Sequence, residues 1–127
     1  MTRRNTLSQP LTELQQAILN IIWASGSATA EQVREALLPA HPLKDSSVRT
    51  LLRRLEARGF LRHRIEGRIF VYQAAVRSRS VAARAVEHII ERFCSGSVEQ
   101  FLVGMVDEKV LPIDEIQRLA RKVKSQK

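Results

Sequence analysis

The chain has 127 residues, 44% of them hydrophobic, and a net charge of +8. This length predicts one domain with a small appended subdomain, and the apolar content excludes a disordered basic tail because it suffices for a folded core. No apolar run approaches the length of a membrane span, and no secretory segment follows Arg3 and Arg4. We therefore expect a soluble, cytoplasmic protein without membrane insertion.

The positive charge is concentrated in one stretch of the chain. Residues 44–77 carry nine Lys and Arg against three Asp and Glu, a net charge of +6. By the same count, residues 1–43 are neutral and residues 78–127 carry +2. A local excess of this kind is typical of a surface that binds a polyanion. It predicts that residues 44–77 contact nucleic acid.

Three helices are predicted before residue 59. Capping boxes at residues 12–15 and 29–32 open the first two helices, because Thr and Gln at that spacing satisfy each other's backbone groups. The third helix is predicted from about residue 45 to residue 58. Asp45 is its expected N-cap, and Gly59 fits the position that follows a helix end. Three helices with a short turn into the third are typical of a helix-turn-helix.

The third helix carries two stripes of side chains on opposite faces. Val48, Leu51, Leu52 and Leu55 have the spacing of a buried stripe. The opposite stripe contains arginines and hydroxyl residues and no acid, and such side chains bond base edges and phosphates. A solvated arginine-rich face is the alternative interpretation. With the start of the second helix included, the candidate DNA-binding residues here are Thr29, Ser46, Ser47, Arg49, Thr50, Arg53 and Arg54.

A β-hairpin is predicted directly after the third helix. Residues 60–65 and 68–72 are two β-prone runs around Glu66 and Gly67, and glycine suits a two-residue hairpin turn. A hairpin in this place would form the wing of a winged helix. Arg64 and Arg68 flank its turn and are the remaining candidate DNA-binding residues. The alternative is that these arginines only protect an exposed sheet edge.

An all-helical region is predicted from residue 78 onward, which divides the chain into a winged-helix domain, residues 1–77, and a helical region, residues 78–127. Apolar residues recur at helical spacing in three short helices, and a second copy of the chain could cover them. Packing against the first domain is the alternative. We expect Cys94 to lie at this dimer face rather than act as a redox switch. The candidate dimerisation residues are Val86, Ile89, Phe93, Phe101, Leu102, Met105, Ile116 and Leu119.

The chain resembles the penicillinase-repressor family of bacterial winged-helix regulators from residue 11 to residue 119. The residues that carry the resemblance are Asn20-Ile21-Ile22-Trp23, Val48-Arg49-Thr50-Leu51, Arg54-Leu55, Gly59-Phe60, Arg68-Ile69-Phe70 with Tyr72, Asp114-Glu115-Ile116 and Leu119. The resemblance implies a homodimer that binds a palindromic double-stranded DNA operator and blocks transcription. It also implies release through a sensor protease system, and the bond cut in the antibiotic-responsive members aligns with Gly104-Met105.

Two features set the chain apart from relatives. The family's third helix often opens with Ser-Pro-Lys-Thr, whereas this chain has Lys44-Asp45-Ser46-Ser47. The cysteine cluster of the copper-responsive repressors has no counterpart near residue 127, which excludes copper sensing by that mechanism.

The sequence contains no pattern typical of a catalytic or metal site. His41, His63 and His88 are scattered, and no paired carboxylates or phosphate loop occur. We therefore expect no enzyme activity, no metal and no cofactor. Two other functions remain open: a winged-helix module that binds an acidic protein partner, and a regulator whose C-terminal helices enclose an effector.

Overall fold

The computed structural model describes residues 10–126, so the expectation for the segment after Arg3 and Arg4 lies outside the described residues. The described part is mainly helical, with one small antiparallel sheet, and the predicted winged helix-turn-helix is confirmed. Its elements are α1 (Glu13–Ser25), β1 (Ser27–Thr29), α2 (Ala30–Leu37), α3 (Asp45–Ala57), β2 (Leu61–Glu66), β3 (Ile69–Ala74), α4 (Ser78–Phe93), α5 (Val98–Asp107) and α6 (Ile113–Ser125).

The described residues form two compact units, residues 10–86 and residues 87–126, and the boundary lies within α4. The first unit contains all three strands and helices α1 to α3. The second contains the end of α4 together with α5 and α6. Within residues 10–126, no helix combines the length and the apolar composition that a membrane crossing requires.

The first two helices begin at the predicted capping boxes. The Thr12 hydroxyl accepts a hydrogen bond from the Gln15 backbone N at 3.1 Å, and the Thr12 backbone N donates to Gln15 Oε1 at 3.0 Å. Thr29 and Gln32 repeat the arrangement at 3.1 and 2.9 Å. Each box satisfies backbone donors that a helix start leaves without an intrahelical partner. These contacts fix where α1 and α2 start.

The predicted N-cap of the third helix is wrong. Lys44 occupies that position with an extended backbone, φ −71° and ψ 154°, and its side chain forms no cap hydrogen bond. Asp45 is instead the first helical residue, and its carboxylate accepts a hydrogen bond from Arg49 Nε one turn later. The guanidinium of Arg49 therefore takes the acceptor that was expected to cap the helix.

The sheet has the strand order β1-β3-β2, with both pairs antiparallel. Strand β1 was not predicted, because three residues are too few to show a β pattern; Ala28 pairs with Tyr72. The hairpin turn lies one residue later than predicted, at Gly67 and Arg68, because Glu66 pairs with Ile69. Gly67 has φ +66°, which suits glycine at the first turn position. Arg68 consequently lies in the turn itself.

One dry core holds the first unit together. Among its residues, α1, α2, α3 and the start of the hairpin contribute side chains of 0% exposure: Ile18, Leu19, Ile22, Val33, Val48, Leu52, Leu55 and Phe60. Each such side chain contributes about 1.5–3 kcal/mol relative to exposure. Trp23 Nε1 also donates to the carbonyl of Val76 at 3.0 Å, which ties the end of α1 to the chain after β3. The core thus gives α3 and the hairpin a fixed base.

The second unit contains no buried residue between residues 87 and 126. The start of α5 is capped by Ser97, whose hydroxyl accepts from the Gln100 backbone N at 3.1 Å. The helices are amphipathic, as predicted, but nine large apolar side chains of this unit remain exposed. These exposed side chains are Ile89, Phe93, Val98, Leu102, Val103, Val110, Ile113, Leu119 and Val123.

Candidate nucleic-acid interface

The two predicted stripes of α3 lie on opposite sides of the helix. Val48, Leu52 and Leu55 are fully buried, and Leu51 is half-buried. The candidate residues of the polar stripe lie at the surface, and the side chain of Arg49 is 62% exposed. Those that are exposed are Ser46, Arg49, Arg53 and Arg54, and those that are half-buried are Ser47 and Thr50. The core therefore orients a basic helix face toward solvent.

Local hydrogen bonds already order part of this face. Arg49 Nε donates to Asp45 Oδ2 at 2.8 Å. The Thr50 hydroxyl donates to the backbone carbonyl of Ser46 at 2.9 Å and lies 3.5 Å from Arg53 Nη2. Because Thr50 is bonded to its own helix, its methyl group and the hydroxyl lone pairs are what it offers to a partner. The guanidinium donors of the face belong to Arg49, Arg53 and Arg54.

A groove of about 400 Å³ is lined by residues of α3, the hairpin and the start of α2, and it brings several predicted residues together. Its lining consists of Thr29, Ala30, Glu31, Arg49, Arg53, Arg68, Ile69, Phe70 and Tyr72. Four predicted DNA-binding residues, one at the start of α2, two on α3 and one in the hairpin turn, thus share one surface. Three of these four are arginines, so the groove is basic.

Glu31 is the one acidic residue in this lining, and no sequence pattern singled it out. It forms an ion pair with Arg34 at 2.6 Å. The hydrogen bond and charge of Arg34 lower the pKa of Glu31. The carboxylate is therefore held in its charged form, mainly by Arg34, with a smaller contribution from the charge of Arg49 in the groove.

Five of the predicted residues, Thr50 of α3 among them, lie outside the groove lining. Ser46 and Ser47 are in the first turn of α3, and Arg54 is near its end. Arg64 is on β2, where its Nε donates to Glu66 Oε2 at 2.6 Å with about half of the side chain exposed. An exposed pair of this kind contributes about 0–1 kcal/mol, so Arg64 can exchange Glu66 for a phosphate at little cost.

The hairpin contacts α3 through an aromatic cluster that sequence reasoning missed. The ring of His63 stacks on Phe70 with a centroid distance of 4.1 Å, and Tyr72 lies 5.7 Å away. His63 Nδ1 lies 2.7 Å from a carboxylate oxygen of Glu56 on α3. Burial raises the pKa of Tyr72. The register places His63 opposite Tyr72, whereas the predicted turn would have placed it opposite Phe70. Either register puts an aromatic ring beside His63, and the alternation of Phe70 and Tyr72 along the strand was the available signal.

No group of three His, Cys, Asp or Glu side chains within residues 10–126 is arranged to hold a metal ion. Cys94 directly follows the last residue of α4 and is half-buried.

The structure places the candidate dimerisation residues on α4, α5 and α6. Val86, Phe101, Met105 and Ile116 are half-buried. The exposed ones are Ile89 at 42%, Phe93 at 72%, Leu102 at 38% and Leu119 at 39%. Gly104 and Met105, the candidate release site, lie inside α5.

Comparison with known proteins decides the family. The model of the penicillinase repressor family matches residues 11–125. The chain belongs to this family. It is therefore a DNA-binding transcriptional repressor and not an enzyme, and the alternative of a module for an acidic protein partner is not favoured.

Individual relatives agree with this assignment. The chain is 28% identical, over 86% of its length and 75% of the relative's, to a 16.5 kDa protein of Latilactobacillus sakei. It is 26% identical to the methicillin resistance regulatory protein MecI of Mammaliicoccus sciuri, over 80% of the chain and 83% of MecI. The solved DNA-binding domain of the repressor BlaI superimposes with a TM-score of 0.51 at 26% identity, covering 61% of this chain and 90% of that one.

Proposed function

We propose that the protein is a homodimeric repressor that binds a palindromic operator through α3 and the wing, the hairpin of β2 and β3. The groove that Arg49, Arg53 and Arg68 line is the observation that carries this proposal. It joins the exposed face of α3 to the wing turn in one basic surface. The major groove of B-DNA, about 12 Å wide, admits an α-helix of this kind.

The two elements have different tasks in this proposal. Arg49 and Arg53 lie on α3, where a guanidinium can donate two hydrogen bonds to O6 and N7 of guanine, and Thr50 offers a methyl group for contact with thymine. Arg64 and Arg68 lie on the wing, where they would contact phosphates and position the protein without selecting a sequence. The helix supplies specificity, and the wing supplies affinity.

The second unit supports the proposed dimer. Exposed apolar side chains on all of its helices leave it without a core of its own, and a second copy offers the same surface in return. Two joined copies would read two half-sites of a palindrome and bind more tightly than one. We also propose a cytoplasmic location, since a repressor works where the bacterial chromosome lies.

Cleavage between Gly104 and Met105 is our proposal for release by a sensor protease system. The bond lies in α5, in the unit to which we assign dimerisation. Glycine inside a helix costs about 1 kcal/mol relative to alanine, which favours the local opening that a protease needs. A cut there would separate the dimer and leave single winged-helix domains that bind DNA weakly.

Selection from a random library of DNA duplexes tests the operator proposal. Wild-type protein should enrich a duplex with an inverted repeat. Arg49→Ala should weaken binding to that duplex by about 1–3 kcal/mol, and much less to a scrambled duplex of the same composition. Arg79→Ala, a matched arginine at the start of α4, should change neither affinity. An equal loss on both duplexes would show that Arg49 contacts only phosphate, and no enrichment would overturn operator binding.

A further inference from the structure

Asp45 and Arg49 form an ion pair on the exposed side of α3. Arg49 Nε donates to Asp45 Oδ2 at 2.8 Å, with the Arg side chain 62% exposed and the Asp side chain 50% exposed. The residues are the first and fifth of the helix, so the pair spans one turn. A pair this exposed adds little to stability, because water solvates both charges. The main effect of the pair is therefore on the position of the Arg49 side chain.

The pair removes conformational freedom from the guanidinium. Arginine has five N–H donors in one plane, and a bond at Nε fixes that plane and occupies the inner donor. Within residues 10–126, the two terminal nitrogens of Arg49 have no hydrogen-bond partner. Their donors therefore remain for an acceptor outside the chain, in an orientation that Asp45 sets. Guanine offers two acceptors, O6 and N7, that match this fork.

We propose that Asp45 is a positioning residue that directs the terminal amino groups of Arg49 onto a guanine and thereby increases sequence specificity. This inference rests on the proposed operator binding. Two effects combine. An arginine that is mobile before binding loses conformational entropy when DNA orders it. The ion pair already orders Arg49 in the free protein, so binding costs less entropy. The carboxylate also repels phosphate, which lowers affinity for DNA of any sequence.

The pair lies in a segment where the chain departs from the family's common sequence. It lies in Lys44-Asp45-Ser46-Ser47, where the family's third helix often has Ser-Pro-Lys-Thr. The structure also explains why Asp45 is available: Lys44 serves as N-cap without a side-chain bond, so the carboxylate is not engaged in capping.

Two other roles for Asp45 lead to different outcomes. An acid in the first turn interacts with the helix dipole, in which case only stability would depend on it. A carboxylate can also accept a hydrogen bond from cytosine N4, in which case its effect would not require Arg49. A double-mutant cycle separates these roles from positioning.

The test measures binding of the full chain to the wild-type-selected duplex and to its scrambled counterpart. Asp45→Asn should weaken binding to the selected duplex about 3- to 10-fold and leave binding to the scrambled duplex unchanged or up to about 2-fold stronger. In an Arg49→Ala background, Asp45→Asn should have almost no effect on the selected duplex. Glu13→Gln is the matched control, since Glu13 is the first residue of α1, and it should alter neither affinity.

Guanine-to-7-deazaguanine substitution in the selected duplex gives a second readout, because it removes the N7 acceptor. When 7-deazaguanine replaces the contacted guanine, wild type should lose more affinity than Asp45→Asn does. Asp45→Glu should lose an intermediate amount, because its carboxylate can still pair with Arg49. Losses that add in the double variant would assign Asp45 a separate contact. Equal losses on both duplexes with a lower Tm would assign it to helix stability. Either result overturns positioning while operator binding stands, whereas a wild type that selects no duplex overturns both.

Discussion

The two units of the molecule use their apolar residues in opposite ways. In the first, three helices and the hairpin place eight large side chains at or near zero exposure in one core. In the second, no residue from 87 to 126 is buried, and nine large apolar side chains remain exposed. Apolar surface of that extent marks an interaction site in a soluble protein. We therefore expect the first unit to fold by itself and the second to require a partner.

The largest effect is expected from removing apolar surface in the second unit. Phe101→Ala together with Met105→Ala should cost several kcal/mol of dimer stability, because it leaves a large gap in the surface that a second copy would cover. Sedimentation at low micromolar protein should show monomers. Binding to the selected duplex should weaken strongly, since each monomer reads one half-site.

The first unit provides the control for this variant. Its core draws on Ile18, Ile22, Leu52 and Leu55, so residues up to 86 should stay folded by circular dichroism. A double variant that remains dimeric, or a monomer that retains wild-type affinity for the duplex, would contradict the assignment of dimerisation to this unit.

A pair of identical substitutions sharpens the comparison. Leu52→Ala in the first core should lower the free energy of unfolding by about 2–5 kcal/mol, because Leu52 is fully buried and leaves a cavity. The effect should not depend on protein concentration. Leu102→Ala, where the leucine is 38% exposed, should show a loss that depends on concentration, as expected when stability is linked to association. Urea unfolding at two protein concentrations distinguishes them.

The sequence predicted the first unit well because its signals are local. Capping boxes at residues 12–15 and 29–32 depend on contacts three residues apart, and the stripe of Val48 and Leu55 depends on helical periodicity. Gly67 marked the turn, although its conformation placed the turn one residue later. The candidate arginines Arg49 and Arg53 followed from the same periodicity.

The features that the sequence did not predict depend on contacts between elements far apart in the chain, or on which of two possible hydrogen-bond partners a side chain takes. Strand β1 exists only because β3 lies beside it, and Ala28 pairs with Tyr72, which is 44 residues later in the chain. The contact of His63 with Glu56 depends on how the wing meets α3. Asp45 could cap the helix or bind Arg49, and spacing alone does not decide between these acceptor roles. Glu31 reaches the groove through packing of α2.

The smallest effect is expected at the wing, which tests how much DNA affinity the first unit supplies alone. Replacing both Arg64 and Arg68 by alanine should weaken binding to selected and scrambled duplexes alike, because phosphate contacts carry no sequence information. The slope of log K against log salt concentration should flatten by roughly one per lost contact per protomer. Arg68→Ala alone should weaken binding more than Arg64→Ala alone, since Arg64 must first leave Glu66 before it can bind a phosphate. Arg79→Ala is the control for lost charge. An unchanged slope in the double variant would remove the wing from the interface and leave α3 and the start of α2 as the DNA contacts of the first unit.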